Sequence, residues 1–288
     1  MDWLEKMNNA MNYIEANLAN EISYDKAAQI ACCSTYHFQR MFSFITNVSL
    51  AEYIRRRRLT LAAFELQASS IKVIDVAYKY GYDSPEAFSR AFKHLHGVMP
   101  ISARNKGTAL KAYPKMVFSI SIKGDKELDY RIEQKDAFEV FGVFSVMSLG
   151  MEQAFIDVPQ FCKKCDEDGT CRRINELLGR PDDSPLHAAL YDFSDTGFKY
   201  MVCYYTPKTA SIPEKYTKLH VPAQTWAVFP VPAMEWQNTW RRIYTEWFPT
   251  SEYEQPDCPS FEMSEEIADE QEYHVHGSGE IWIPVKKK

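Results

Sequence analysis

Arg40 and Arg90 stand in matching frames fifty residues apart. The first lies in Ser34 to Phe42, STYHFQRMF, and the second in Ser84 to Phe92, SPEAFSRAF. Ser34 falls on Ser84, Phe38 on Phe88 and Phe42 on Phe92, and upstream Ala27 falls on Ala77. An arginine fork pairs bidentately with guanine, and a glutamine such as Gln39 pairs with adenine. The chemistry on offer at this end of the chain is the reading of base edges. A second set lies near the other end. Glu262 and Glu280 supply carboxylates, and Trp226, Trp247, Trp282, Tyr204 and Tyr205 are candidate aromatic walls. Aromatic faces attract cations and a carboxylate adds direct charge pairing, so this set suits a small organic cation. Trp236 and Trp240 recur at helical spacing and read as core packing instead.

The elements that must position the arginines follow from the repeat. Self-similarity at a fixed period marks one supersecondary unit used twice. Each copy begins with a serine able to cap a helix, and Pro85 follows at a first helical position where a missing N–H costs nothing. Phe38 and Phe42, like Phe88 and Phe92, are four apart and share a buried face, with Gln39, Arg40, Ser89 and Arg90 turned away from it. A short helix, a tight turn and a helix with an arginine-bearing outer face make a helix-turn-helix. The turns fall at Ala31–Ser34 and Gly81–Ser84, and Gly97 stops the second reading helix. Between the copies, Ser49 and Glu52 fit a capping box, and the helix they open runs to about Gln67. Its length joins the two heads rigidly, as a monomer reading major grooves ~34 Å apart requires. Arg55 and Arg56 on this helix suit phosphate contacts, although a solvated face is the plainer reading of Arg55–Arg58. For Arg40 and Arg90 the alternative role is a salt bridge across the motif.

Charge divides the chain the same way. The 288 residues carry a net −6, but residues 1–111 hold +4 and the remainder −10, a basic module joined to an acidic one. No apolar run approaches the roughly 18 residues needed to span a bilayer. The amphipathic, acidic start is unlike a secretory signal, and seven cysteines suit reduced thiols in a cytoplasm. Cys162, Cys165 and Cys171 could hold zinc or sense redox state. No second pair or histidine stands at ligand spacing, so neither a metal nor a cofactor is expected.

In the acidic half, Lys106–Asp125 reads as a linker with an edge strand over Met116–Ile122. Strands follow around Leu128–Ile132 and Phe138–Phe144, then helices near Val158 and from Arg172 to Leu178. Leu186–Phe193 and Phe198–Tyr205 read as a hairpin. Strands at Tyr216–Val221 and Thr225–Phe229, a helix over Glu235–Phe248, and strands at Phe261–Ser264 and Gly279–Val285 repeat the scheme. Two strand-helix-strand-strand units in tandem make an α+β domain whose sheets join around a cleft.

The set Ser34-xxx-Phe38-x-Arg40-x-Phe42, Tyr53-Ile54-xxx-Arg58-Leu59, Val76-Ala77-xxx-Gly81-Tyr82 and Phe88-Ser89-Arg90-Ala91-Phe92-Lys93-xxx-Gly97-xx-Pro100 resembles the DNA-binding domain of the AraC/XylS regulators. Cys32 and Asn47 stand where that family has turn glycines, and Met99 replaces a serine. The resemblance implies that Tyr36, Gln39 and Arg40 face bases from the first head, and Glu86, Ser89 and Arg90 from the second, with apolar contacts from Pro85 and Ala87. Phe138-Glu139-Val140-x-Gly142, Trp240-xx-Ile243-xxx-Trp247-Phe248-Pro249, Phe261-Glu262 and Glu280–Val285 resemble the GyrI-like small-molecule-binding domain. That likeness implies a central acidic residue, for which Glu262 is the first choice and Glu280 the second. The expected organisation is Rob-like: an all-α double helix-turn-helix domain over 1–107, a linker over 108–125, and the effector domain over 126–288. It implies a ligand-responsive transcription regulator, usually an activator, with double-stranded DNA, a small organic effector and RNA polymerase as partners. Two alternatives stay open: a hydrolase of strained compounds using Glu262 and Tyr205, and a domain that only docks another protein.

Overall fold

Among the described residues three non-glycines, Cys32, Asn47 and Asp192, take the backbone conformation that glycine usually takes. Cys32 has φ 57° and Asn47 φ 60°, bracketing the first reading helix. The turn geometry is therefore kept without glycine, which an asparagine tolerates better than a cysteine. The computed structural model describes residues 3–119, 127–148, 150–207, 211–233, 235–264 and 278–288. Its helices are α1 Trp3–Ala16, α2 Tyr24–Ile30, α3 Thr35–Thr46, α4 Leu50–Ala68, α5 Val73–Lys79, α6 Pro85–His96, α7 Met151–Glu167, α8 Thr170–Leu178 and α9 Trp236–Arg242. They fall into two units, Met1–Thr35 with Leu50–Ile122, and Tyr36–Ser49 with Lys123–Lys288. All but the first residue of α3 thus groups with the acidic half, although the sequence put it in the helical half.

In the helical unit, α4, α5 and α6 bury Leu59, Ala62, Leu66, Val76, Ala77, Phe88 and Phe92 in one core. Both ends of α6 are capped as the sequence requires: Ser84 Oγ accepts from Ala87 N at 3.1 Å, and Gly97 closes the helix at φ 81°. Gly81 turns α5 into α6 at φ 78°, and a Cβ there would lie 2.8 Å from Arg58 Nη1. Within the stretch expected as a linker, residues 113–118 are strapped down. Tyr113 N donates to Thr60 Oγ1, Met116 N to the Tyr53 hydroxyl, and Phe118 exchanges two hydrogen bonds with Asn8. Side chains take the place of a neighbouring strand, so residues 116–119 are not the edge strand that was expected; residues 120–122 lie outside the described residues.

The second unit carries β1 Arg131–Lys135, β2 Phe138–Ser148, β3 His187–Tyr191, β4 Gly197–Tyr205, β5 Thr217–Val221, β6 Gln224–Val231, β7 Tyr253–Glu254, β8 Ser260–Ser264, β9 Gly279–Pro284 and β10 Lys286–Lys287. Eight of them form one sheet in the order β1-β6-β9-β8-β3-β4-β2-β5. The expected tandem repeat is visible in that order: β2, two helices, then β3–β4 in one half, and β6, α9, then β8–β9 in the other. The halves join where β8 pairs with β3, Glu262 opposite Ala188 and Phe261 opposite Ala189. The sheet is curled. The Phe138 ring on β2 lies 6.2 Å from Trp226 on β6, although five strand intervals would separate them by ~24 Å if flat. The curl seals an inner face of Val140, Met201, Cys203, Trp226, Phe261 and Trp282. The outer face carries the helices. Phe141 packs with Ile174 of α8, and Phe161 of α7 lies 6.4 Å from Tyr200.

Candidate functional site

The second reading helix has the face expected of it. Phe88 and Phe92 are fully buried, while Glu86 and Arg90 are exposed and Ser89 half-buried. Pro85, Glu86, Ser89, Arg90, Lys93 and Met99 line a concavity of about 470 Å³. An arginine, a serine and a glutamate set on a rigid, doubly capped helix can address base edges. On α4 the four arginines have separate partners. Arg55 and Arg56 both reach Glu52, at 2.7 and 2.5 Å, on the helix surface. Arg57 is buried, pairs with Glu15 through two bonds of 2.8 Å and donates a third to the Tyr113 carbonyl. Arg58 closes the end of α1 by donating to the carbonyls of Leu18 and Asn20.

Glu262 sits at the seam of the two half-sheets, on the outer face between α7 and α9. Tyr200 Oη donates to its Oε2 at 2.6 Å and Trp240 Nε1 to its Oε1 at 2.7 Å. No lysine or arginine among the described residues forms an ion pair with it. Burial raises its pKa, against the two hydrogen bonds that favour the charged form. A recessed carboxylate with donors but no counter-charge among the described residues can attract a cation. Tyr200 and Trp240 are the residues that sequence reasoning missed. Trp240 looked like core because its helical stripe does pack, and only the tertiary structure shows its indole nitrogen on the carboxylate.

The other effector candidates do not gather around Glu262. Cross-strand partners share a face, so Phe261, Ala189, Met201, Cys203 and Tyr205 look inward while Glu262, Ala188 and Val202 look outward. Trp226, Trp282 and Glu280 are on the inner side with Tyr205. Trp226 is wholly buried there, a core residue rather than a wall. Glu280 is already paired: Arg131 grips it with bonds of 2.5 and 3.0 Å, Trp282 Nε1 adds a third, and the Arg131 bonds lower its pKa. Lys135 joins them on the inner face, bonded to the Tyr205 hydroxyl at 2.6 Å and 4.7 Å from the Trp282 ring centre. Tyr205 therefore cannot position a water for Glu262, and the hydrolase pairing is corrected. Tyr204 and Trp247 are on the outer side but engaged elsewhere, Tyr204 stacked on His187 and Trp247 against Phe229 and Tyr253. Burial pushes the Cys162 thiol up to about 12 and Cys165 to about 11, so both are poor nucleophiles at neutral pH.

The first reading helix differs most from expectation. Arg40, expected to face DNA, is 3% exposed inside the second unit. Its Nε donates to the Tyr244 hydroxyl at 2.8 Å, its Nη1 to Tyr36 at 2.8 Å and its Nη2 to Ser260 Oγ at 3.3 Å. Its guanidinium carbon lies 3.7 Å from the centre of the Phe193 ring. Gln255 closes the circuit, accepting from Tyr244 and donating to Ser260. Burial opposes the charge, and the hydroxyls of Tyr244 and Tyr36 outweigh that, so its pKa is raised. Tyr36 is thereby held against Arg40, and Gln39 is half-buried. His37 is buried too. Its Nδ1 accepts from Gln255 N at 3.1 Å, and burial lowers its pKa to about 3. The helix that carries Tyr244 widens into a π turn over Ile243–Trp247, where the sequence predicted regular helix.

The chain thus carries a helix-turn-helix module and a repeat sheet with a carboxylate at its seam. Residues 131–285 match the family described as integron-associated effector binding protein, and residues 27–106 match a helix-turn-helix domain. The first match spans more than half of the sequence, and the chain belongs to that family. The transcriptional activator AarP of Providencia stuartii is 46% identical over 88 residues, 31% of this chain and 65% of that one. The chain thus spans just under two thirds of AarP. The Tn10 TetD protein of Escherichia coli is 42% identical over 101 residues, 35% of this chain and 73% of that one. The structure of SAV2435 bound to tetraphenylphosphonium aligns over 55% of this chain and 94% of that one, at 20% identity and a TM-score of 0.43. Among the described residues no helix is long and apolar enough to cross a membrane.

Proposed function

We propose that this chain regulates transcription by binding double-stranded DNA, and that a small organic cation held at Glu262 controls it. Glu86, Ser89 and Arg90 of α6 read one major groove. Tyr36, Gln39 and Arg40 of α3 read another when that helix is free, with Arg55 and Arg56 beside phosphates. The relative named as an activator, AarP, favours activation, with RNA polymerase as the protein partner and the cytoplasm as the place of action.

The observation that carries the effector reading is Glu262 itself, a recessed carboxylate with a tyrosine and a tryptophan as donors and no ion-paired cation among the described residues. Tetraphenylphosphonium is a suitable probe because its charge is wrapped in aromatic surface, which aromatic neighbours such as Tyr200 and Trp240 favour. Calorimetric titration of the full chain is expected to show binding that falls at least tenfold in Glu262→Gln. Equal affinity in the two proteins would remove Glu262 from the site.

A further inference from the structure

Arg40 keeps its charge in a place that offers no counter-charge. No carboxylate among the described residues pairs with it, and its partners are three hydroxyls and four rings, with Phe193 nearest. Desolvating a guanidinium is expensive, and here hydroxyls and aromatic faces offset that cost in place of a carboxylate. Among the described residues, docked α3 holds Arg40 by hydroxyl and ring contacts without an ion pair. Three nearly parallel rings connect it to Glu262. Phe44 of α3 stacks on Tyr244 at 4.1 Å and 12°, and lies 6.1 Å from Trp240 at 24°. Trp240 and Tyr244 are 6.2 Å apart at 14°. At one end of this stack Trp240 holds Glu262, and at the other Tyr244 holds Arg40. Ser260, which accepts from Arg40, is two residues before Glu262 on the same strand face, ~7 Å away along the strand.

We propose that α3 is a built-in occupant of the effector module: Arg40 docks the first reading helix against Phe193, Tyr244 and Ser260, and a cation that takes Glu262 expels it. This rests on reading Glu262 as the effector carboxylate. To reach that carboxylate a cation displaces Trp240 Nε1, and a displaced Trp240 removes a stacking partner from both Tyr244 and Phe44. The same cation brings a second positive charge within ~10 Å of the Arg40 guanidinium, in a poorly hydrated region where like charges repel strongly. Docking and cation binding are then alternatives, and each weakens the other by the same factor. Docked α3 withholds Tyr36 and Arg40 from bases, and released α3 presents them.

The test uses the full chain with tetraphenylphosphonium, and the neutral triphenylphosphine oxide as the control. Arg40→Ala removes the docking charge, so the cation no longer competes with α3 and its affinity rises about tenfold. Phe193→Leu loosens the same contact from the other side and raises affinity in the same direction. The control compound shows neither effect. With a duplex selected by the chain in vitro, the cation lengthens the footprint from one major groove to two, and in Arg40→Ala the added protection is weaker at the base that Arg40 contacts. Affinity unchanged in both Arg40→Ala and Phe193→Leu, with Glu262→Gln still defective, overturns the docking proposal and leaves the effector reading in place. Cation affinity that ignores Glu262→Gln, or no cation binding at all, overturns both.

Discussion

α3 and α6 are the same helix by sequence and opposite in circumstance. Each sets an arginine two residues after one buried phenylalanine and two before another. Arg90 is exposed beside a concavity, whereas Arg40 lies 3% exposed among hydroxyls and rings. The difference does not come from the repeat. It comes from what surrounds each copy: α6 presents its polar face outward, and α3 gives that face to Tyr244, Gln255 and Ser260. A reading helix is thus defined by where its polar face is spent, and the same pattern can serve as a DNA contact or as an internal ligand.

The largest effect expected from this contrast is on stability. Phe92 is fully buried, and Phe92→Ala should cost the helical unit about 3–5 kcal/mol. Phe44→Ala removes a half-exposed stacking partner and should cost ~1 kcal/mol. Urea melts of both variants check the pair. Near-equal losses would mean that the two helices are held alike.

Next in size is a pH effect confined to α3. The docked His37 has a pKa of about 3, held down by burial and then by Lys288, Arg40 and Lys286, against 6.5 for a free histidine. Above pH 6.5 both states are neutral and docking is at full strength. Below it only the released state takes up the proton, so docking weakens about tenfold per pH unit, ~2 kcal/mol by pH 5. His37→Gln, whose side-chain oxygen can still accept from Gln255 N, should flatten the profile of amide exchange in α3 against pH. An equally steep profile in that variant would assign the effect to another group.

Arg90→Ala should weaken specific DNA binding by about 1–3 kcal/mol with or without a cation, whereas Arg40→Ala should matter only with it. Gel-shift titrations at fixed salt decide this, and an equal loss for both variants without a cation would erase the asymmetry. The smallest effect is at the cap of α6, where Ser84→Ala should lower stability by ~1 kcal/mol in a thermal melt. No change in the melt would mean that the Ser84 bond to Ala87 contributes nothing.

Much of the helical unit was legible because its signals are local. Ser84, Pro85 and Gly97 mark the ends of α6 by their own chemistry, and the phenylalanine spacing fixes its buried face. The repeat of strand, helix and hairpin was legible from alternation and turns. Which aromatic residues share a face was not. Glu262 and Trp282 each fit a pocket, but the pairing of β8 with β9 sets Trp282 opposite Phe261 and so on the other side of the sheet from Glu262. Trp240 was hidden by its resemblance to a packing stripe. Arg40 was hidden because nothing local distinguishes it from Arg90. Its partners Tyr244 and Ser260 lie more than two hundred residues away, and a repeat carries no record of them.

The most direct test follows amide hydrogen exchange in residues 36–49 and 85–96 of the full chain in one experiment, with and without saturating tetraphenylphosphonium. The account predicts that the cation speeds exchange in α3 at least tenfold and leaves α6 unchanged. Equal or greater protection of α3 in the presence of bound cation would contradict it.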